Sequence, residues 1–426
     1  MILIIRKITG NLLNSLLIYS IIWSSALYLH QLNLLGYNKL VFGTWVMIFL
    51  AWGCLFYGVL CARLAHATMR KRDVLNVRSQ LVPDINNSLV LSVRRVLLFF
   101  VVLLLVRTVT VWIALLGRYG SVQGVLEHGG EIYCLTRHGL YGPGLGMPLP
   151  VDYLACFFAG VYTGFKGRFS FLSSLAIGSV IVLHIGLQGR LTIFMGFVLF
   201  FLAVWYASPR RRRSALMRQL LILSVVFIAT ILLVSATRGL GKSLPARGWG
   251  RLAEDIPAFS LYYYASVGIA GLNEYIKGGR DAMDVPYTVA PLLRILGMKV
   301  PLYEPTVFYT PIPTITITWL AALHHDFGWG GVMIFPWVIG FVSSYLEMQL
   351  RRRKSLLALA LLSHFYLILI LSFHSYALFI ASWWLSFLTS AALGFIIDKG
   401  VLTNLIRVLK GKHINLRLEL KGPGEW

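Results

Sequence analysis

In the stretch ALHHDFGWGG, His324, His325 and Asp326 stand side by side directly before an apolar run, in a chain with 16 acidic residues against 39 basic ones. An imidazole titrating near neutral pH beside a carboxylate that orients it can take a proton from an attacking hydroxyl. If 314–326 is helical, Asp326 falls near the C-terminal end, where the helix dipole disfavours negative charge. The alternative role for Asp326 is to cap a helix starting at 329. Adjacent histidines point to different helix faces, and no His-x-x-x-His spacing occurs, so neither a metal site nor a cofactor is expected.

Anion binding is the second chemistry the residue types suggest. Arg190 sits in LQGR, a very short turn between two apolar runs, which holds a guanidinium at headgroup depth. Arg238, Lys242, Arg247 and Arg251 are four cations within fourteen residues at the mouth of another run. Arg107 lies near the middle of VVLLLVRTVTVW. An intramembrane arginine is expensive, and with no mid-depth acid expected to pair it, it is read as facing a wet cavity or an anionic substrate. His184, His364 and His374 are second candidates, more simply explained as hydrogen-bonding residues within a bundle.

The elements that must position these residues follow from composition. With 58% hydrophobic and 13% charged residues among 426, and a mean hydropathy of +0.74, the chain is expected to be an all-α polytopic integral membrane protein. Apolar runs long enough to cross a bilayer begin near residues 11, 40, 96, 150, 169, 191, 219, 330, 355 and 377, which predicts ten to twelve transmembrane helices. The first of these is read as a retained span because a small-residue cleavage site is lacking.

With the N-terminus inside, 26 of the basic residues fall on inner segments. The net charge of +23 is then the cytoplasmic excess of the positive-inside rule, and nucleic acid is not an expected partner. The whole of 1–426 is read as one membrane domain. Residues 117–150 and 237–329 form outer loops, and 398–426 form a basic inner tail. The uncharged run 256–273 and the segment 314–328 are read as helices at, or dipping into, the outer interface, with two additional crossings as the alternative. ATRGLGKS at 236–243 fits a loose phosphate-loop pattern, but no strand precedes it and Pro245 follows, so nucleotide binding is excluded.

SLYYYASVGIAGLNEYI followed by PTITITWLAALHHDFGWGGVMIFPWVIGFVSSYL and a basic RRRK resembles the Wzy-type O-antigen polymerases, over roughly residues 185–350. Gly189-Arg190 and Thr237-Arg238-Gly239 resemble arginine motifs of that family, and Arg118 with Gly129 fits a looser one. The resemblance implies a C-type glycosyltransferase in the bacterial inner membrane, with both termini cytoplasmic and a large periplasmic loop. Such an enzyme polymerises oligosaccharide repeat units carried on undecaprenyl pyrophosphate. An O-antigen ligase, or less readily a lipid-oligosaccharide flippase, is the alternative. Arg190, Arg238, Arg107, Arg251 and Tyr263 would bind pyrophosphate or glycan, and His325 or Asp326 would take the acceptor proton. Membrane lipids, a chain-length regulator and a flippase are the implied partners.

Overall fold

A backbone buried in hydrocarbon must satisfy every N–H and C=O internally, so long apolar runs become helices. The computed structural model describes residues 14–74, 87–137, 150–209, 213–237, 256–278, 287–298, 308–310, 313–314, 316–352, 355–375, 378 and 380–400. Apart from a two-residue antiparallel pairing, β1 (Phe308–Tyr309) with β2 (Pro313–Thr314), the regular structure among them is helical.

The helices are α1 (Ser15–Gln31), α2 (Phe42–Val74), α3 (Asn87–Tyr119), α4 (Val122–Glu127), α5 (Gly129–Arg137), α6 (Val151–Lys166), α7 (Phe171–Leu187), α8 (Arg190–Ala207) and α9 (Arg213–Thr237). They continue with α10 (Ile256–Gly278), α11 (Ala290–Ile295), α12 (Trp319–Arg352), α13 (Leu356–Leu371) and α14 (Ala381–Asp398). Side-chain caps set several starts: Asn14, Ser170 and Ser355 each accept a backbone N–H from the first turn of the helix that follows.

Six helices are long and apolar enough to cross a membrane: Phe42–Thr68 of α2, then α3, α8, α9, α12 and α14. α7 and α13 are shorter apolar helices. Composition and these helices make the chain a membrane-embedded polytopic protein, with fewer such helices among the described residues than the ten to twelve expected. Leu98, Phe99, Val106 and Ile113 on α3, and Leu221, Ile222 and Val225 on α9, are exposed apolar side chains of the kind that face lipid. α6 is different, being buried from Asp152 through Gly164, as expected of a helix apolar all round at the centre of a bundle. It packs against α3, α7 and α8, while α12 runs along α2 and α13 along α14.

One end of this bundle is roofed by α10. Tyr262 Oη accepts from the Leu34 amide at 2.9 Å, and Ser266 Oγ bonds Tyr37 Oη at 3.2 Å. Asn273 takes the Val41 amide and the Thr44 hydroxyl and donates to the Lys39 carbonyl, at 2.9, 3.0 and 3.1 Å. The α1–α2 connection therefore lies alongside α10 for eleven residues, about 16 Å at 1.5 Å per residue. A helix held along its length by one inter-helix connection lies across the bundle end. Small side chains let it seat closely, because a Cβ at Gly268 or Gly271 would lie 2.1 Å from the Phe373 carbonyl or 2.3 Å from the Thr316 carbonyl.

The predicted helix over 314–326 starts later than expected, at Trp319, whose amide donates to the Ser372 carbonyl at 2.9 Å. It breaks at Gly328, where φ is 60° and ψ −153°, a conformation only glycine adopts readily. Residues 319–327 are thus a short helix ending in the histidines and the aspartate, and the long apolar helix proper begins after the break.

Candidate functional site

Arg190 opens α8 immediately after the α7–α8 turn, and that turn is built around an imidazole. Gln188 takes a left-handed conformation at the α7 end, and the Gly189 amide donates to the His184 carbonyl at 3.0 Å. A Cβ on Gly189 would lie 2.4 Å from His184 Nδ1, so only glycine fits against the ring. Thr237, the last residue of α9, donates to Gln188 Oε1 at 3.0 Å, and Gly129 at the start of α5 packs on the same two residues. The two motifs joined only by expectation in the sequence, Gly189-Arg190 and the Thr237 that precedes Arg238, meet here. Arg238 and Arg251 themselves lie outside the described residues, as do Lys242 and Arg247.

Arg190 as a residue is 9% exposed, and its guanidinium is held by neutral groups. Nη1 donates to Ser235 Oγ of α9 at 2.9 Å, Nη2 donates to the Tyr264 hydroxyl of α10, and the guanidinium carbon lies 4.6 Å from the Tyr264 ring centroid. No carboxylate among the described residues forms an ion pair with it. Two of its five N–H donors are spent on Ser235 and Tyr264, and no counter-charge reaches it from the described residues.

Arg107 is buried to the same degree, at 8%, and its surroundings hold the acid partner that the sequence reading did not expect. Its Nη1 bonds both Asp152 oxygens, at 2.8 and 2.9 Å, and His184 Nε2 bonds Asp152 Oδ2 at 2.8 Å. Asp152, fully buried in the first turn of α6, is the partner that the sequence reading denied to Arg107. α3 has 33 residues and overshoots a bilayer, so a position central in the apolar run is still level with the start of α6. The triad ties α3, α6 and α7 together, and through His184 it supports the turn that carries Arg190.

The histidine–aspartate pair occupies a second place. Asp326 has no exposed side-chain surface, and both its oxygens are engaged. They accept the Tyr287 and Thr288 amides at 2.8 Å each and the Thr288 hydroxyl at 2.6 Å, while His325 Nδ1 lies 3.1 Å from Oδ1. Asp326 therefore ties down the segment before α11, where the sequence suggested a cap on a helix from 329. His325 has a carboxylate on Nδ1 and packs edge-on to Tyr287, while His324 faces the other way and bonds Tyr275 Oη at 3.1 Å.

α10 supplies a ruler between the two places. Tyr264 marks the Arg190 end and Tyr275 the histidine end, eleven residues or about 16 Å apart. Tyr263, the remaining α10 residue singled out by sequence, packs edge-on to Tyr264 with centroids 5.4 Å apart. An imidazole that sequence reading ranked second is nearer: the His374 ring lies edge-on to the Tyr264 ring at 5.3 Å, and its Nδ1 is buried without a hydrogen-bond partner. Burial pushes the His374 pKa down to about 4, and the neighbouring Arg190 charge acts in the same direction. No signal in the sequence joins position 374 to position 190; the α13–α14 connection and α10 do so in space.

Comparison of the chain with protein-family models, with curated proteins and with solved structures finds no match.

Proposed function

We propose that this chain is a polymerase of undecaprenyl-pyrophosphate-linked oligosaccharide repeat units, a C-type glycosyltransferase acting at the periplasmic face of the bacterial inner membrane. The observation that carries the reading is Arg190, a nearly buried cation at a bundle end with neutral partners and no carboxylate among the described residues. A desolvated guanidinium is costly unless an anion completes it, and a planar fork suits a phosphate oxygen pair. The α10 end would be periplasmic, with α1, α6, α7 and α13 bringing the crossings to ten and α10 lying in the outer interface.

In this reading the growing glycan is joined through its anomeric carbon to the pyrophosphate. The acceptor hydroxyl attacks that carbon as its proton passes to Nδ1 of the neutral His374 imidazole, while the carbon–oxygen bond to pyrophosphate breaks and the leaving group takes the electron pair. Arg190, with Arg238 following Thr237, stabilises the charge on the leaving pyrophosphate by charge-assisted hydrogen bonds. The histidines stand at the Tyr275 end of α10, about 16 Å along the helix from Tyr264, so this reading gives the proton transfer to His374. His325, oriented by Asp326, is accordingly read as a contact for glycan lying along α10, and His374 as the imidazole nearest the leaving group.

The test is a lipopolysaccharide gel from a deletion strain complemented with the gene or with Arg190→Ala. Loss of polymerase converts a ladder into a single band of core plus one repeat, because an intact ligase still attaches single units. Arg190→Ala should reproduce that band at normal protein levels. A bare core band, with polymer retained on the lipid carrier, would establish the ligase alternative instead. Reporter fusions after residues 130 and 300 should read periplasmic, and those after 80, 213 and 353 cytoplasmic.

A further inference from the structure

Between α8 and α9 lies an apolar cleft of about 360 Å³, walled by Ile18 and Ile22 of α1, Phe197 and Phe201 of α8, Ser224 of α9 and Ile370 of α13. Packing of Ile193, Phe194, Phe227, Ile231 and Val234 closes it toward the α10 end. Toward the opposite bundle end its wall runs on to a cation. Phe201 stacks on Trp205, one turn further along α8, with centroids 6.3 Å apart, and the Arg213 guanidinium lies over the Trp205 ring at 5.2 Å. Arg213 Nε also donates to the Ser208 carbonyl at 3.4 Å, which holds the guanidinium at the α8–α9 corner. The depths of the lining residues agree. Ile18 and Ile22 fall in the first eight residues of α1, away from α10, and Ser224 is eleven positions after Arg213, about 16 Å along α9. That is the depth of one leaflet in a hydrocarbon core of roughly 30 Å.

We propose that this cleft is a binding site for an anionic glycerophospholipid of the leaflet at the end opposite α10, with one acyl chain between α8 and α9 and the phosphate on Arg213. In the proposed orientation that leaflet is cytoplasmic, and the inference does not depend on the reaction. Length and charge select the occupant. A cleft one leaflet deep takes an acyl chain, whereas a chain long enough to cross the bilayer would leave much of itself outside. Ile21, which also lines the cleft, is 44% exposed, so the second acyl chain has a way into the surrounding bilayer. Arg213 supplies a planar fork suited to phosphate, stacked on an indole of the kind that sits at a membrane interface. The corner around it has an excess of positive charge. Arg63, Arg213 and Arg351 act there with a single carboxylate, Glu347, which accepts from Arg351 at 2.7 Å and from the Tyr366 hydroxyl at 3.3 Å. Basic pockets between membrane helices on the inner side are where anionic head groups bind.

The full chain in phosphatidylcholine nanodiscs is photolysed with a trace of phosphatidylglycerol carrying a diazirine on one acyl chain, and labelled peptides are mapped by mass spectrometry. Label is expected on residues 18–22 and 197–205, at least threefold above that from a phosphatidylcholine probe of the same chain. Arg213→Gln should lower the phosphatidylglycerol label there at least threefold, and Arg218→Gln, which removes an exposed cation from the same helix, should leave it unchanged. Ile22→Trp, which fills the cleft from a partly exposed position, should lower the label on 197–205 at least fivefold with Arg213 intact. Equal labelling by the phosphatidylcholine probe, or equal losses in Arg213→Gln and Arg218→Gln, would overturn the site. Displacement by undecaprenyl phosphate at lower concentration than by unlabelled phosphatidylglycerol would overturn the occupant. The polymerase reading fails separately, by an unchanged ladder in the deletion strain, and cleft labelling would survive that failure.

Discussion

Two arginines of equal burial should respond oppositely to the same substitution. Arg107→Met removes one side of a buried ion pair and leaves Asp152, which has no exposed surface, with only His184. Breaking such a pair costs about 3–5 kcal/mol. At roughly 2.1 cal/mol/K per residue, 426 residues carry an unfolding entropy of about 0.9 kcal/mol/K, so the melting midpoint should fall by about 4 °C. A bundle that keeps its helices on denaturation has a smaller entropy and a larger shift. Arg190→Met gives up two hydrogen bonds from a cation to hydroxyls, about 1.5 kcal/mol each, and a contact with the Tyr264 ring of about 1 kcal/mol. It also removes a desolvation penalty of several kcal/mol that no carboxylate among the described residues offsets. The two nearly cancel, so its midpoint should stay within about 2 °C while polymerisation is lost. Fluorescence-detected size exclusion after heating gives the midpoints, and the lipopolysaccharide ladder gives activity. The reasoning fails if Arg190→Met melts as low as Arg107→Met, or if it keeps a normal ladder at a normal midpoint.

Other substitutions probe the parts that hold the site. Gly189→Ala places a Cβ 2.4 Å from His184 Nδ1 and should cost about 1–3 kcal/mol and shorten the ladder, whereas Gly178→Ala, which meets nothing within 4 Å, should do neither. Asp326→Asn replaces one acceptor oxygen with a donor facing the Tyr287 and Thr288 amides, so hydrogen exchange at those amides should accelerate at least tenfold; unchanged exchange would remove the anchoring role. For His374, a folded pKa near 4 against about 6.5 unfolded means the neutral imidazole persists down the pH scale. Its contribution to stability is complete above about pH 6.5 and is lost as pH falls toward 4. Its capacity as a base should likewise be flat from pH 8 to 5.5; a nuclear magnetic resonance titration of this ring with a midpoint near 6.5 would refute the buried placement.

The sequence by itself determined the class of molecule and several local devices. Composition and long apolar runs leave a chain no stable form except helices in a membrane, because hydrocarbon tolerates no unsatisfied backbone. Gly189-Arg190 as a tight turn and the break at Gly328 were readable because they depend on neighbours in the chain. Pairings between helices were not. Arg107 looked unpartnered because the depth of Asp152 depends on where α6 starts relative to the 33-residue α3, a quantity fixed by packing. Asp326 looked like a cap or a base until residues 287 and 288, nearly forty positions earlier, folded back onto it. The gathering of Arg190, Ser235, Tyr264 and His374 from four separate elements was likewise decided only when α10 lay down across the bundle end, since contact between distant residues is set by how whole helices pack and not by local pattern.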